Sequence, residues 1–320
     1  MDRRRFLLTV AAPLVLGAAP ALGARRGGTP LALVTADLEA AVVAVDLTTG
    51  RVLRRVATLA DPRSIESLAG RAAIVAHTAS GRLTLVDGPS LGVEEIEGVF
   101  EAPRYTAARA DGRIAYVSDS AREEVVVVDV RRRRTLARLR VGGAARHLSL
   151  SPSGSRLWVS LGTKAARIAI VALDEPLRPR LVTSFRPPFL AHDVGFTPNG
   201  RAVWVTSGDR GRVAVYDARA GLVRTFAADA PPQHVSFVGG RAFVTSGDDA
   251  ILRVHRLSDG RVLRSTPLPA GSYNVQQGGG MILTPSLSQG TLCVVSEGGA
   301  LVERRRVARS SHDACFVIGP

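Results

Sequence analysis

Short apolar runs separated by turn residues dominate this chain, and no helical period competes with them over a comparable length. From His192 to Gly221 it reads HDVGFTPNGRAVWVTSGDRGRVAVYDARAG. That is a polar pair, an apolar run, a Pro-Asn-Gly turn, a second run, a Gly-rich turn and a third run. Nearly the same order recurs from Arg146 (RHLSLSPSGSRLWVSLG) and from Gln233 (QHVSFVGGRAFVTSGDDAILRVHRLSDG). The third run serves as a ruler. It ends at Asp46, Asp87, Asp129, Leu173, Asp217, Arg256 and Ser296, with gaps of 41, 42, 44, 44, 39 and 40 residues. Seven units therefore fill Leu31 to Pro320. A repeat of about 40 residues holding several short strands is the spacing of a propeller blade.

Each unit predicts four strands, such as VGF, VWVTS, VAVYD and LVRTF, rich in Val, Phe and Trp. The near-continuous apolar run Val125–Val128 fits a strand covered on both faces. Asn199-Gly200 and Asp111-Gly112 predict two-residue primed hairpin turns with positive φ. The ends are offset: LALVT (Leu31–Thr35) matches a second strand, and the missing first strand appears as HDACFVIG (His312–Gly319). The expectation is an all-β, seven-bladed β-propeller of four-stranded antiparallel blades, closed by a C-terminal strand that completes the N-terminal blade. Closure removes exposed sheet edges.

The units HDVGFTPNGRAVWVTSGDRGRVAVYD and YVSDSAREEVVVVDV (Tyr116–Val130) resemble YVTN-type repeats. The resemblance covers the chain after its leader and implies the propeller fold, which serves unrelated roles. The leader, MDRRRFLLT, is similar to a twin-arginine export signal, with Arg3-Arg4 ahead of Phe6-Leu7 and an apolar stretch to Leu22 broken by Pro13. It is too short and broken for a permanent span, with cleavage expected near Ala21 or Ala24. The organisation read from sequence is thus residues 1–24 as signal and 31–320 as propeller, working in the periplasm or outside the cell as a monomer.

Apolar residues make up 46% of the chain and charged ones 22%, enough to bury a core. The formal net charge is +14, of which the leader supplies +2, and Lys164 is the only lysine. This excess favours a small anionic ligand or an acidic protein partner; nucleic acid is weakly supported, because aromatics are only 5%. The runs Arg131–Arg134 and Arg304–Arg306 fall at an outer turn and an outer strand, where solvated rims are expected. Cys293 and Cys315 fall in strands at different radii, which predicts two buried free thiols. Covalent-haem and common zinc motifs are lacking.

Candidate chemistry lies in the polar pair heading each unit: Arg63-Ser64, Arg104-Tyr105, Arg146-His147, His192-Asp193, Gln233-His234, Tyr273-Asn274 and His312-Asp313. Innermost strands begin at one channel mouth, so these pairs should converge. Arg104, Arg146, His147, His192, Asp193, His234, Tyr273 and His312 are the candidate ligand-binding residues. Imidazoles bind metals, serve as axial ligands or act as bases; equally, they can hydrogen-bond a neighbouring blade's backbone. Cofactor and metal stay open. His192 and His312 hold the first position of their pairs and His147 and His234 the second, so strand alternation predicts that they face apart.

Three classes follow. The favoured one is a non-catalytic propeller that binds a ligand or partner at the channel mouth or rim. A second is a lactonase or lyase: GAARHLSLSPSG, around Arg146-His147, is similar to propeller lactonases, although WVSLG lacks the acidic residue they place after the next strand. The third is a tetrapyrrole-binding or redox-associated propeller like the haem d1 propellers, which have eight blades.

Overall fold

A computed structural model describes residues 28–228 and 230–320; the leader, with its twin arginines and cleavage sites, lies outside the described residues. Seven separate four-stranded antiparallel sheets are arranged as the repeats require. Their innermost strands, blades 1 to 7, are Ala314–Ile318, Pro62–Leu68, Pro103–Ala108, Ala145–Leu150, Ala191–Phe196, Val235–Val238 and Gln276–Gly278. Blade 1 is closed as expected. Its inner strand pairs with Pro30–Ala36, placing Cys315 opposite Leu33 and Phe316 opposite Ala32.

The core is divided among seven apolar clusters, each shared by two neighbouring blades. The second strand of a blade supplies the large side chains. Tyr116, Trp158, Trp204 and Phe243 occupy equivalent positions and are fully buried. Trp158 meets Phe185 of its own blade and Phe196 and Tyr216 of the next, at centroid distances of 5.5, 6.1 and 5.8 Å. Edge-to-face aromatic contacts of this kind add directional preference to area burial, so each blade is registered against its neighbour.

The fourth strands form the rim. Arg304, Arg305 and Arg306 are exposed there, as is the Arg131–Arg134 run, where Arg132 pairs with Asp129 and Arg133 with Glu94 of the preceding blade. Cys293 and Cys315 are buried free thiols.

The primed-turn expectation is corrected. At Asn199-Gly200 only the glycine has positive φ (67°), and the Gly200 amide donates to the Thr197 carbonyl at 2.8 Å. Asp111-Gly112 repeats this, with Gly112 at 67° bonded to Arg109. These are type I turns followed by a left-handed glycine. They are stabilised by the Asn199 and Asp111 side chains, which accept the amides of Arg201 and Arg113.

Candidate functional site

In blades 3, 4 and 5 the polar pair is a β-bulge. In blade 4, Ala145 pairs with Leu161 and Leu148 with Val159, so Arg146 and His147 together oppose Ser160. His192 and Asp193 oppose Thr206 in blade 5, and Arg104 and Tyr105 oppose Ser118 in blade 3. The lone facing hydroxyl takes the stranded amide each time: His147 N–H donates to Ser160 Oγ at 3.2 Å, Asp193 N–H to Thr206 Oγ1 at 3.0 Å and Tyr105 N–H to Ser118 Oγ at 3.0 Å. A bulge breaks strict alternation and re-aims side chains. His192 therefore turns toward His147 and His234 despite holding the other position of its pair, and the expectation that they face apart fails for these three.

The three rings form a compact group. Centroids are 4.6 Å apart for His147–His192 and His147–His234, and 5.0 Å for His192–His234. One nitrogen from each lies within 4.8 Å of the other two. Each ring is held by a polar neighbour: His147 Nδ1 lies 3.4 Å from Ser160 Oγ, His234 Nδ1 lies 3.5 Å from Asp193 Oδ2, and the His192 ring donates to the Thr163 carbonyl. Burial, reinforced by His234 and Arg146, pushes His192 down to about 3. Burial also holds His147 well below its ordinary value, with His234, His192 and Arg146 adding. These two imidazoles are neutral at physiological pH.

Tyr105, which the sequence reading passed over, completes the collar. Its ring stacks 4.1 Å from His147 and lies 6.0 Å from His234. It occupies the same second position as those histidines, so the repeat alignment carried the signal. Arg146 reaches over the Tyr105 ring at 5.9 Å, and its Nε is buried without a hydrogen-bond partner. Arg104 and Arg63 are near enough that, after burial, Arg146 and then Arg63 depress the Arg104 guanidinium. Arg63 pairs with Asp37 at 3.4 Å; among the described residues, neither Arg104 nor Arg146 has an acidic ion-pair partner. Burial raises Asp37 to about 6, against the pull of Arg63.

The remaining candidates have other duties. Asp193 stitches blades: its Oδ1 accepts Val194 N–H at 2.8 Å and its Oδ2 accepts Val235 N–H at 3.1 Å. Asp313 does the same with Ala314 and Ile65. His312 stands apart from the histidine group; Asn274 Nδ2 donates to its carbonyl at 2.8 Å and lies 3.2 Å from its Nδ1. Tyr273 leaves the channel altogether and donates to Asp248 at 2.8 Å.

Beyond the collar a cavity of about 590 Å³ follows the inner strands from Tyr105, His147 and His234 to Ala108, Leu150 and Val238. Glu66 and Asp313 line its wall. Burial lifts Glu66 to about 8, with Asp313 adding and Gln276 opposing, and lifts Asp313 to about 7. Glu66 follows its bulge within the strand, and no repeat position singled it out.

No family model and no curated protein matches this sequence. Solved structures do match in shape. A functionally unknown protein from Desulfotomaculum acetoxidans superposes with a TM-score of 0.77 at 10% identity, covering 91% of this chain and 99% of that one. The periplasmic gluconolactonase PpgL of Pseudomonas aeruginosa gives 0.69 at 18% identity, covering 91% and 99%. Dihydro-heme d1 dehydrogenase NirN, in complex with DHE, gives 0.61 at 16% identity, covering 86% and 63%. At these identities the likeness is one of fold. The chain is a seven-bladed propeller, and what it shares with these structures is the propeller fold.

Proposed function

We propose that this chain is an exported, non-catalytic propeller that binds a small anionic ligand at the channel mouth. The observation that carries the reading is the buried, unpartnered Nε of Arg146, beside Arg104 and with Arg63 in charge contact. Buried donors are normally satisfied. Two guanidiniums without carboxylate partners are suited to a carboxylate or phosphate, which Arg engages through two parallel hydrogen bonds. His192, half-buried at the same level, adds a ring N–H or lone pair.

The test is calorimetry with a panel of small carboxylates and phosphates at low and high salt. A binder should weaken with salt, and Arg146→Ala or Arg104→Ala should each lower its affinity about 10-fold or more, since a charge-assisted hydrogen bond contributes about 1.5–3 kcal/mol. An affinity unchanged in both variants would exclude this mouth. Turnover of a sugar lactone by purified protein would replace the reading with an enzymatic one. Against that alternative, His147 is only 2% exposed, and the neighbouring Arg156–Leu161 strand brings no acidic group.

Export is the second part of the reading and rests on the leader. Arg3→Lys with Arg4→Lys should leave precursor in the cytoplasm, because the receptor reads the guanidinium pair. Normal export of that variant would point to the general secretory route.

A further inference from the structure

We infer that His147, His192 and His234 form a three-histidine site for a borderline divalent metal ion of the Zn²⁺ type. It stands on observations independent of the anion-binding reading. Three neighbouring blades, two of them through a bulge, deliver one imidazole each to one point, with one nitrogen of each within 4.8 Å of the others. His147 Nε2 is fully buried with no partner at hydrogen-bond distance, although the ring faces the His192 backbone of the next blade.

The supporting contacts point the same way. His147 Nδ1 faces Ser160 Oγ, and His234 Nδ1 faces the Asp193 carboxylate. The His192 ring donates to the Thr163 carbonyl. Metal-binding histidines characteristically give one N–H to a carbonyl, hydroxyl or carboxylate, which fixes the tautomer and turns the other nitrogen to the ion. In His147 and His234 the nitrogen left over is Nε2.

At Zn–N distances of about 2.0–2.1 Å, tetrahedral ligand nitrogens sit about 3.4 Å apart. To reach that value the three nitrogens must draw together from their observed spacing of up to 4.8 Å. Three imidazoles and no thiolate suit Zn²⁺ or Cu²⁺ rather than Mg²⁺ or Ca²⁺, and leave a fourth position for water or an anion.

The experiment uses the mature chain carrying no polyhistidine tag, stripped with a chelator and titrated with Co²⁺ and Zn²⁺. The expected result is one equivalent of Co²⁺ with strong visible d–d bands of a four-coordinate site, displaced by Zn²⁺. His192→Gln and His234→Gln should weaken binding at least about 100-fold, while Arg104→Gln keeps the spectrum. His192 is half-buried, so His192→Gln is the variant expected to fold, and a thermal melt verifies it. Sub-stoichiometric Co²⁺ without d–d bands in the wild-type chain would overturn the site, whatever the variants do. So would an unchanged affinity in folded His192→Gln. Loss of anion binding in Arg146→Ala with Co²⁺ binding intact would separate this site from the mouth.

Discussion

Glu66 shows how one residue's place in the channel changes its chemistry. Its carboxyl ordinarily titrates near 4.5, and burial beside Asp313 raises it to about 8. An acid with a raised folded value holds its proton longer in the folded chain than in the unfolded one. Stability therefore falls as pH climbs from about 4.5 to about 8 and levels off above. Glu66→Gln cannot ionise, and it keeps an oxygen near Gln276. Melting curves of variant and wild type should diverge across that window, the variant gaining as pH rises. Parallel curves would mean that Glu66 ionises normally. The histidines act in the opposite sense: with His147, His192 and His312 held below their ordinary value, stability is lost as pH falls through about 6.5.

Among the strands, the bulge that opens blades 3, 4 and 5 is the device that builds the site. It depends on a hydroxyl from the facing second strand. Thr206 Oγ1 accepts the Asp193 amide and donates to the Gln233 carbonyl of the next blade. Thr206→Val keeps the shape and strands both groups in a buried place, at about 1–3 kcal/mol. The melting temperature should fall by roughly 2–4 °C for each kcal/mol lost, and Thr206→Ser should restore most of it. A neutral Thr206→Val would show that the bulge is held by packing alone. This also gives a physical reason for Ser118 in YVSD, Ser160 in WVSL and Thr206 in WVTS: each answers the amide left over by the polar pair.

For the whole molecule, the ring is closed by five residues. The Ala314–Ile318 strand pairs with Pro30–Ala36, and Ala314, Cys315 and Val317 are buried in clusters shared with blades 7 and 2. Removing Ala314–Pro320 would expose the Leu31–Val34 backbone as an open sheet edge and uncover both clusters. The expected outcome is a large drop in melting temperature with concentration-dependent association, read by calorimetry and light scattering. A monomeric truncation that melts like the full chain would show that the ring does not need this strand.

The amino-acid sequence by itself determined the blade count, the strand order within each unit, the shared N- and C-terminal blade, the charged rim and the two free thiols. Those features rest on hydrophobic periodicity and turn residues, which act locally and repeat. It also located the polar pairs that meet at the channel. Tertiary structure decided which members of those pairs face one another. Simple alternation put His192 opposite His147 and His234, and the bulges, which need a hydroxyl on the facing strand, brought the three together. Tyr105 entered the collar by stacking on His147, while Tyr273 turned outward to Asp248. Asp193 spent both oxygens on backbone amides of two blades. Each outcome depends on a partner about 13 to 42 residues away, a distance at which a repeat pattern shows that residues come close but not which atoms touch.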